Sequence, residues 1–339
     1  MNRPLLKAFA LSAFALLLAI GPARGQDRDA MGAYQRQITS LFSTVFAAPT
    51  DNQRYNANEQ VVQLFTEALA IENSFYYKWN FDNNISLLTS SDKKFRICTW
   101  AVVRDDGEYE CFGWVQAYNE KTETFDTYVL NDKSDEMINI QESVLSPDNW
   151  YGAVYQQLVE TKYDGREYYT LIGWSGCNNL TQRKVIEPIL FRTGSSKPQF
   201  GQALFRKEKN LRRVVFEYSK NAMVNVVYDD QFYTTVENRK VKGKKGRVYN
   251  VQEKHNTKEK MIMFDEIAPM VEGMEGLFQY YVPTGTEMAY AFVNGKWELR
   301  ESAEGRVAGE KLNKEFAPLP KSDPAYKVQL RRESTPEEK

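Results

Sequence analysis

Histidine is almost absent from this sequence: His255 is the only one in 339 residues. Ser-His-Asp and Cys-His catalytic sites need a histidine that a carboxylate holds, and zinc sites typically use two or more His or Cys ligands at fixed spacing. His255 lies within the lysine-rich stretch 254–258, a composition typical of a solvated loop. We therefore expect no histidine-dependent catalysis, no metal site and no cofactor.

Glycine-rich phosphate loops are missing as well. The nearest stretch, 240–247, contains only two glycines, and no helical pattern follows it. Walker and Rossmann loops need both features, because the glycine backbone and the start of the next helix together hold the phosphates. The sequence therefore lacks the usual sign of a nucleotide-binding loop.

Cysteine is scarce, with three residues, and an odd number cannot all pair within one chain. Cys98 and Cys111 flank the turn signal at 106–107, where a two-residue turn would set Cys111 opposite Val102. Cys98 would then lie about 13 Å further along its strand at ~3.3 Å per residue, whereas bridged Cα atoms lie within roughly 7 Å. This geometry disfavours a Cys98–Cys111 bridge, leaves a Cys111–Cys177 bridge open, and favours buried free thiols.

Long apolar runs are confined to the N-terminus. Arg3 and Lys7 precede the apolar stretch 8–20, and small residues follow in a pattern that matches a cleavage site before Gln26. Because about 20 apolar residues are needed to span a bilayer, this pattern predicts a cleavable signal peptide over 1–25. We expect export to the periplasm, the outer-membrane surface or the extracellular medium, with no transmembrane segment after cleavage.

Excess positive charge is also lacking. Lys and Arg number 44 and Asp and Glu number 45; residues 1–25 hold three of the basic and none of the acidic ones, so the mature chain carries a net charge of −4. Such a balance exerts no general attraction on nucleic acid or anionic membranes. We expect no nucleic-acid partner.

The chain does contain a short helical region before a long β region. Apolar residues recur at three- and four-residue steps from Met31 to Val45, and a second such run begins at Asn58, which we predict as its N-cap. The sequence thus predicts a helical N-terminal region over 26–83 that caps the rest. Residues 301–339 lose the apolar alternation and are predicted to form a flexible C-terminal tail.

Between these regions, residues 84–300 alternate apolar and polar side chains in short runs separated by Asp-Gly and Asn-Gly turns. This pattern predicts a mainly β domain of antiparallel meanders, arranged either as a propeller-like structure or as a sandwich. The predicted strands include Gln202–Phe205 and Phe278–Val282.

One passage carries a family resemblance. Residues 87–100 read as a strand, a Ser-x-Asp turn and a Phe-Arg-Ile-x-x-Trp strand, and Phe-Gly-Trp-Val-Gln follows at 112–116. Together with 171–174 and 189–191, this passage resembles a recurring pattern in uncharacterised secreted proteins of Bacteroidetes-type bacteria, which carry no assigned activity. The resemblance spans residues 57–300, rests on structural motifs, and supplies no catalytic residues.

Acidic residues are plentiful, and glycoside cleavage needs only two carboxylates at a suitable separation. Asp105, Asp106, Glu108 and Glu110 cluster at a predicted hairpin tip, where the turn itself explains an Asp-Gly pair. No pair of acids stands out from the others. A carboxylate-dependent hydrolase acting on polysaccharide or peptidoglycan is therefore kept as the alternative function.

Aromatic residues could carry binding instead. Trp114 and Trp174 lie in predicted strands, each after a glycine. Exposed indole rings stack on sugars, although such rings more often fill the core of a β domain. Both tryptophans are kept as candidate ligand-binding residues.

The span 239–260 is strongly basic, with nine Lys or Arg residues against Glu253 and Glu259. Such a cluster could hold an acidic glycan, a lipid headgroup or nucleic acid. The pattern fits an exposed hairpin better, in which glycines form the tip and lysines prevent edge pairing. The candidate ligand-binding residues here are Lys242, Lys244, Lys245 and Arg247.

These observations favour a non-catalytic, exported binding or scaffold protein of the bacterial envelope. Its expected partner is a glycan or an envelope protein. The oligomeric state is left open.

The signal peptide gives a direct test. When the full chain is expressed in a Gram-negative host, we expect the exported protein to begin at Gln26, because signal peptidase cleaves after small residues. N-terminal sequencing of the exported fraction measures this. Exported protein that keeps residues 1–25 would contradict the prediction.

Overall fold

The computed structural model describes residues 29–300 except 177, 207 and 243–247. The predicted signal peptide and C-terminal tail lie outside the described residues. Within the described part of the chain, no helix is long and apolar enough to cross a membrane.

The described chain divides into two compact units. The first contains residues 29–229 together with 261–300, and the second contains residues 230–260. Strand residues lead from one unit into the other at both junctions.

Two helices open the described chain. Helix α1 covers 29–47, and helix α2 runs over Asp51–Leu69. Helix α2 begins after Thr50, whose hydroxyl accepts a hydrogen bond from the backbone N–H of Gln53 at 3.4 Å. Thr50 therefore satisfies one of the N–H groups that have no partner inside the helix.

The predicted N-cap at Asn58 is wrong. Asn58 is buried in the middle of α2, where its side-chain oxygen accepts a hydrogen bond from the indole N–H of Trp100 at 2.7 Å. Burying an indole N–H without an acceptor costs free energy, so the contact with Trp100 on a distant strand accounts for an amide side chain at position 58. A local helix-start pattern cannot show such a contact.

The rest of the described chain is mainly β, as predicted. The strands are β1 (Ser86–Thr89), β2 (Phe95–Val103), β3 (Tyr109–Asn119), β4 (Thr124–Asn131), β5 (Val154–Tyr163), β6 (Arg166–Ser175), β7 (Thr181–Phe191), β8 (Pro198–Phe200), β9 (Val214–Ser219), β10 (Val226–Lys242), β11 (Val248–Pro269), β12 (Tyr281–Val293) and β13 (Lys296–Arg300). They form three sheets in chain order, β1 to β4, β5 to β9 and β10 to β13, in which consecutive strands pair, except that β9 pairs with β7. The predicted meanders are confirmed.

Two predicted strands are wrong. Gln202–Phe205 is irregular, because Gly201 adopts a φ of 86° directly after β8 and turns the chain away from the sheet. Phe278–Tyr280 forms a single 3-10 turn, and β12 begins only at Tyr281. Runs this short fit a strand and a turn equally well, so periodicity does not separate them.

The β2–β3 hairpin has a three-residue loop, 105–107, where the sequence predicts a two-residue turn. Gly107 ends the loop with a φ of 81°, the left-handed position of a type I turn followed by a bulge. The register therefore shifts by one residue. Cys111 pairs with Ala101 and not, as predicted, with Val102.

The helices and sheets of the first unit pack as successive layers. One core lies between the helices and the first sheet, a second between the first and second sheets, and a third between the second and third sheets. Strand β6 serves two of them, since Leu171 points into the second core and Ile172 into the third. This face-to-face stacking of meanders is common to the two predicted arrangements.

A buried ion pair lies beside the second core. The Arg213 Nε and a Glu187 carboxylate oxygen are 2.5 Å apart, and both side chains are fully buried. The other Glu187 oxygen accepts the Tyr155 hydroxyl, which in turn accepts the indole N–H of Trp150 at 2.9 Å. Arg213 also donates to the backbone oxygen of Ile140. One network thus joins β5, β7, the residue before β9 and the loop after β4.

The ion pair predicts a large stability effect. Glu187→Gln is expected to lower the free energy of unfolding by about 3–5 kcal/mol, because Arg213 would stay charged and buried without a carboxylate. Guanidinium denaturation measures the change. Glu167→Gln is the matched control: its partner Lys162 lies 2.6 Å away but is 65% exposed, and such pairs contribute about 0–1 kcal/mol. Equal losses in both variants would contradict the assigned role of Glu187.

Candidate functional site

Trp114 lies in β3 and is only 2% exposed. The guanidinium carbon of Arg96 lies 5.2 Å from the centroid of the indole ring, and the ring of Phe65 on α2 is 5.5 Å away, centroid to centroid. Its indole N–H has no hydrogen-bond partner in the described protein and borders a crevice of about 10 Å³, which has room for one water. The ring is therefore packed in the core and presents no face to a sugar.

Trp174 is half-buried in β6 and keeps part of its indole at the surface. The ring of Tyr109 meets it edge to face, with the centroids 5.2 Å apart, and its N–H donates to the side-chain oxygen of Gln182 at 2.8 Å. The preceding Gly173 makes room for another ring: a Cβ there would come 2.8 Å from a ring carbon of Tyr155. Trp174 is thus held in one orientation by protein contacts.

Lys242, one of the four basic candidates, lies on the β10–β11 hairpin; we call residues 230–260 the basic hairpin. Lys242 is exposed near the end of β10, and Lys240 is exposed beside it. His255 lies on β11 and not in a loop, as its lysine-rich surroundings suggested. The other three candidates, Lys244, Lys245 and Arg247, lie outside the described residues.

The base of the basic hairpin carries a cross-strand ion pair. The Lys258 ammonium lies 2.8 Å from the Asp230 carboxylate. The hydrogen bond from Lys258, with further attraction from Lys260, lowers the pKa of Asp230. This acid is therefore ionised at neutral pH and offsets part of the positive charge at the base.

Three of the four acids in the predicted cluster form ion pairs. Asp105 accepts a hydrogen bond from Arg54 on α2, and this bond lowers the pKa of Asp105. On the same hairpin, Arg104 pairs with Asp106 at 3.0 Å and with Glu108 at 3.2 Å. The contact between Arg54 and Asp105 joins the hairpin tip to α2. In the described chain, no group of three or more His, Cys, Asp or Glu side chains is placed to hold a metal ion.

A pocket that the sequence did not indicate lies between the loop after β8 and the β12–β13 turn. It is open to solvent on one side and has a volume of about 510 Å³. We call it the cationic groove; it is lined by Ala203, Phe205, Arg206, Lys209, Asn294 and Lys296.

Backbone contacts hold two of the groove's three cations. Arg206 donates to the backbone oxygen of Val293 at 3.0 Å and pairs with Glu298 at 3.2 Å. The Lys296 ammonium donates to the backbone oxygen of Ala203. The basic run from 206 was visible in the sequence, but nothing there places it beside a turn so far along the chain.

Comparisons with known proteins do not supply a function. The chain matches no family model, no curated protein and no solved structure.

Two cysteines are buried in the first sheet. Cys98 and Cys111 are both free, as predicted, and they lie in different cores on opposite faces of that sheet. Burial raises the pKa of both thiols, so both remain protonated at pH 8. The predicted alternative bridge between Cys111 and Cys177 involves a residue outside the described chain.

Thiol titration tests this assignment. In a Cys177→Ser variant, we expect no reaction of the native protein with DTNB at pH 8, because thiolate is the reactive form and both remaining thiols are buried and protonated. Two thiols should react after denaturation. Denatured wild-type protein should titrate three. Rapid reaction of a native thiol in the variant would contradict the burial of Cys98 or Cys111.

Proposed function

We propose that this is an exported, non-catalytic binding protein of the bacterial envelope, and that the basic hairpin is its contact surface for an anionic glycan. One observation carries the proposal. Within the described chain, residues 230–260 group apart from the first unit, and Lys240 and Lys242 are exposed there.

The charge of the basic hairpin supports an anionic partner. Residues 239–260 hold nine basic and two acidic side chains, in a chain whose total net charge is −1. Like charges on neighbouring strands repel one another, so this excess does not stabilise the hairpin by itself. A bound polyanion would relieve the repulsion, and a two-stranded ribbon is only marginally stable alone.

The alternative hydrolase gains no support from the acid cluster. Asp105 is bound to Arg54, and Asp106 and Glu108 are bound to Arg104. A general acid of a glycosidase instead needs a raised pKa and a second carboxylate facing the same cleft. The hydrolase stays a sequence-based prediction.

Charge removal tests the basic hairpin. The variant Lys240→Gln, Lys242→Gln, Lys245→Gln is titrated calorimetrically with polygalacturonate as the anionic probe and dextran as the neutral one. We expect polygalacturonate to bind the variant about tenfold more weakly at low salt, since each exposed charge contact contributes roughly 0.2–1 kcal/mol. Wild-type binding should weaken as salt screens these contacts.

The matched control removes three exposed lysines from the first unit: Lys78→Gln, Lys93→Gln, Lys121→Gln. It carries the same change in net charge and is expected to bind polygalacturonate like the wild type. The hairpin is not the contact surface if both variants lose affinity equally. The same holds if wild-type protein does not prefer polygalacturonate to dextran.

A further inference from the structure

The cationic groove lies entirely within the first unit and shares no residue with the basic hairpin. Its two walls, 203–206 and 294–296, are joined by backbone hydrogen bonds around Trp297. The Trp297 N–H donates to the oxygen of Leu204 at 2.7 Å, and the Arg206 N–H donates to the oxygen of Trp297 at 2.8 Å. Because Trp297 is fully buried, both walls are anchored to the third core. The groove is therefore preformed.

Hydrogen-bond donors remain for a ligand in this groove. Glu298 and a backbone carbonyl engage the Nε and Nη2 atoms of Arg206, and its Nη1 atom is left. Lys296 uses one of its three N–H donors on Ala203. Lys209 is exposed, and within the described chain its ammonium makes no ion pair or hydrogen bond. The described lining therefore holds three cations and no carboxylate; Glu298 pairs with one of these cations, and Glu208 lies in the same loop without lining the groove.

Support of the loop does not account for this charge. The backbone oxygen of Ala203 needs a hydrogen-bond donor from position 296 but not a positive charge. Lys209 joins neither wall to the other. Placing three cations around one pocket also costs repulsion between them, which an anion would relieve.

We propose that the cationic groove binds a phosphate or carboxylate group through Arg206, Lys209 and Lys296, with the exposed amide of Asn294 as a further donor. Charge-assisted hydrogen bonds from guanidinium and ammonium groups suit both oxyanions. The volume of about 510 Å³ accommodates one sugar ring that carries such a group. The ligand class is therefore a small molecule of about this size that carries a phosphate or carboxylate group.

The test follows backbone amides of the exported protein by NMR. Inorganic phosphate, galacturonate and neutral galactose are titrated in turn, and the amide shifts at 206, 209 and 294–296 are recorded. We expect saturable shifts with at least one of the two anions and none with galactose. The anion that saturates at the lower concentration identifies the natural group. Shifts that do not saturate with either anion overturn the proposal.

Lys209→Gln removes one cation without touching either wall, so it does not threaten the fold. We expect this variant to bind the better anion about fivefold more weakly, Lys209→Arg to restore binding, and Lys121→Gln to match the wild type. Unchanged affinity in Lys209→Gln would also overturn the proposal. The hairpin triple variant should leave the groove shifts unaltered, so failure of the hairpin proposal and failure of this one give different results.

Discussion

The buried Glu187–Arg213 pair is the constraint on which the layered part of the structure depends. Moving two charges out of water costs several kcal/mol for each ion, and only close geometry with further hydrogen bonds offsets that cost. Glu187 receives both the guanidinium, at 2.5 Å, and the hydroxyl of Tyr155. Arg213 reaches the backbone oxygens of Ile140 and Phe200. Both charges have all of these partners only when Tyr155, Ile140 and Phe200 are packed around them. The ion pair therefore selects one packing of the second sheet.

Packing on two faces explains why the first two sheets contain so few exposed side chains. In β2, Ile97 points toward the second sheet and Trp100 toward the helices, so neither face of the strand is free. Even Arg96 is buried there, and it donates to the Gln116 side chain at 2.9 Å and to the backbone oxygen of Ser74 at 2.9 Å. Burial lowers the pKa of Arg96 to about 10. Because this value is still well above 7, the guanidinium group is charged at neutral pH. A strand covered on both faces is rich in apolar residues, with each polar exception hydrogen-bonded.

Sequence patterns located most strands and their order, because meanders pair neighbours in the chain and turn residues mark each reversal. They failed where a distant contact decides the outcome. Asn58 fits the pattern of a helix N-cap, but its side chain accepts a hydrogen bond from Trp100 on β2. Trp114 was a candidate for sugar stacking, yet α2 covers it. One left-handed glycine, Gly107, shifted a hairpin register by a residue.

The basic hairpin and the cationic groove also differ in how far the sequence alone reveals them. The charge of the basic hairpin comes from one stretch of sequence, 239–260, with nine Lys or Arg residues, and was visible there. The cationic groove needs Arg206 and Lys296 side by side, and that neighbourhood exists only once β13 lies beside the loop after β8. Clusters built from separate segments therefore escape a search by composition.

Local charge decides which ligands these surfaces accept, because electrostatic attraction fades within about 8 Å at physiological ionic strength. An anion in the cationic groove responds chiefly to Arg206, Lys209, Lys296 and Glu298, and hardly to the predicted mature charge of −4. That net charge weakly repels a polyanion wherever it extends beyond the basic surfaces, as a nucleic acid would. A single phosphate or carboxylate on a largely neutral glycan escapes that repulsion while meeting all three cations. The positions of the cations, and not their number in the whole chain, then determine which anions bind.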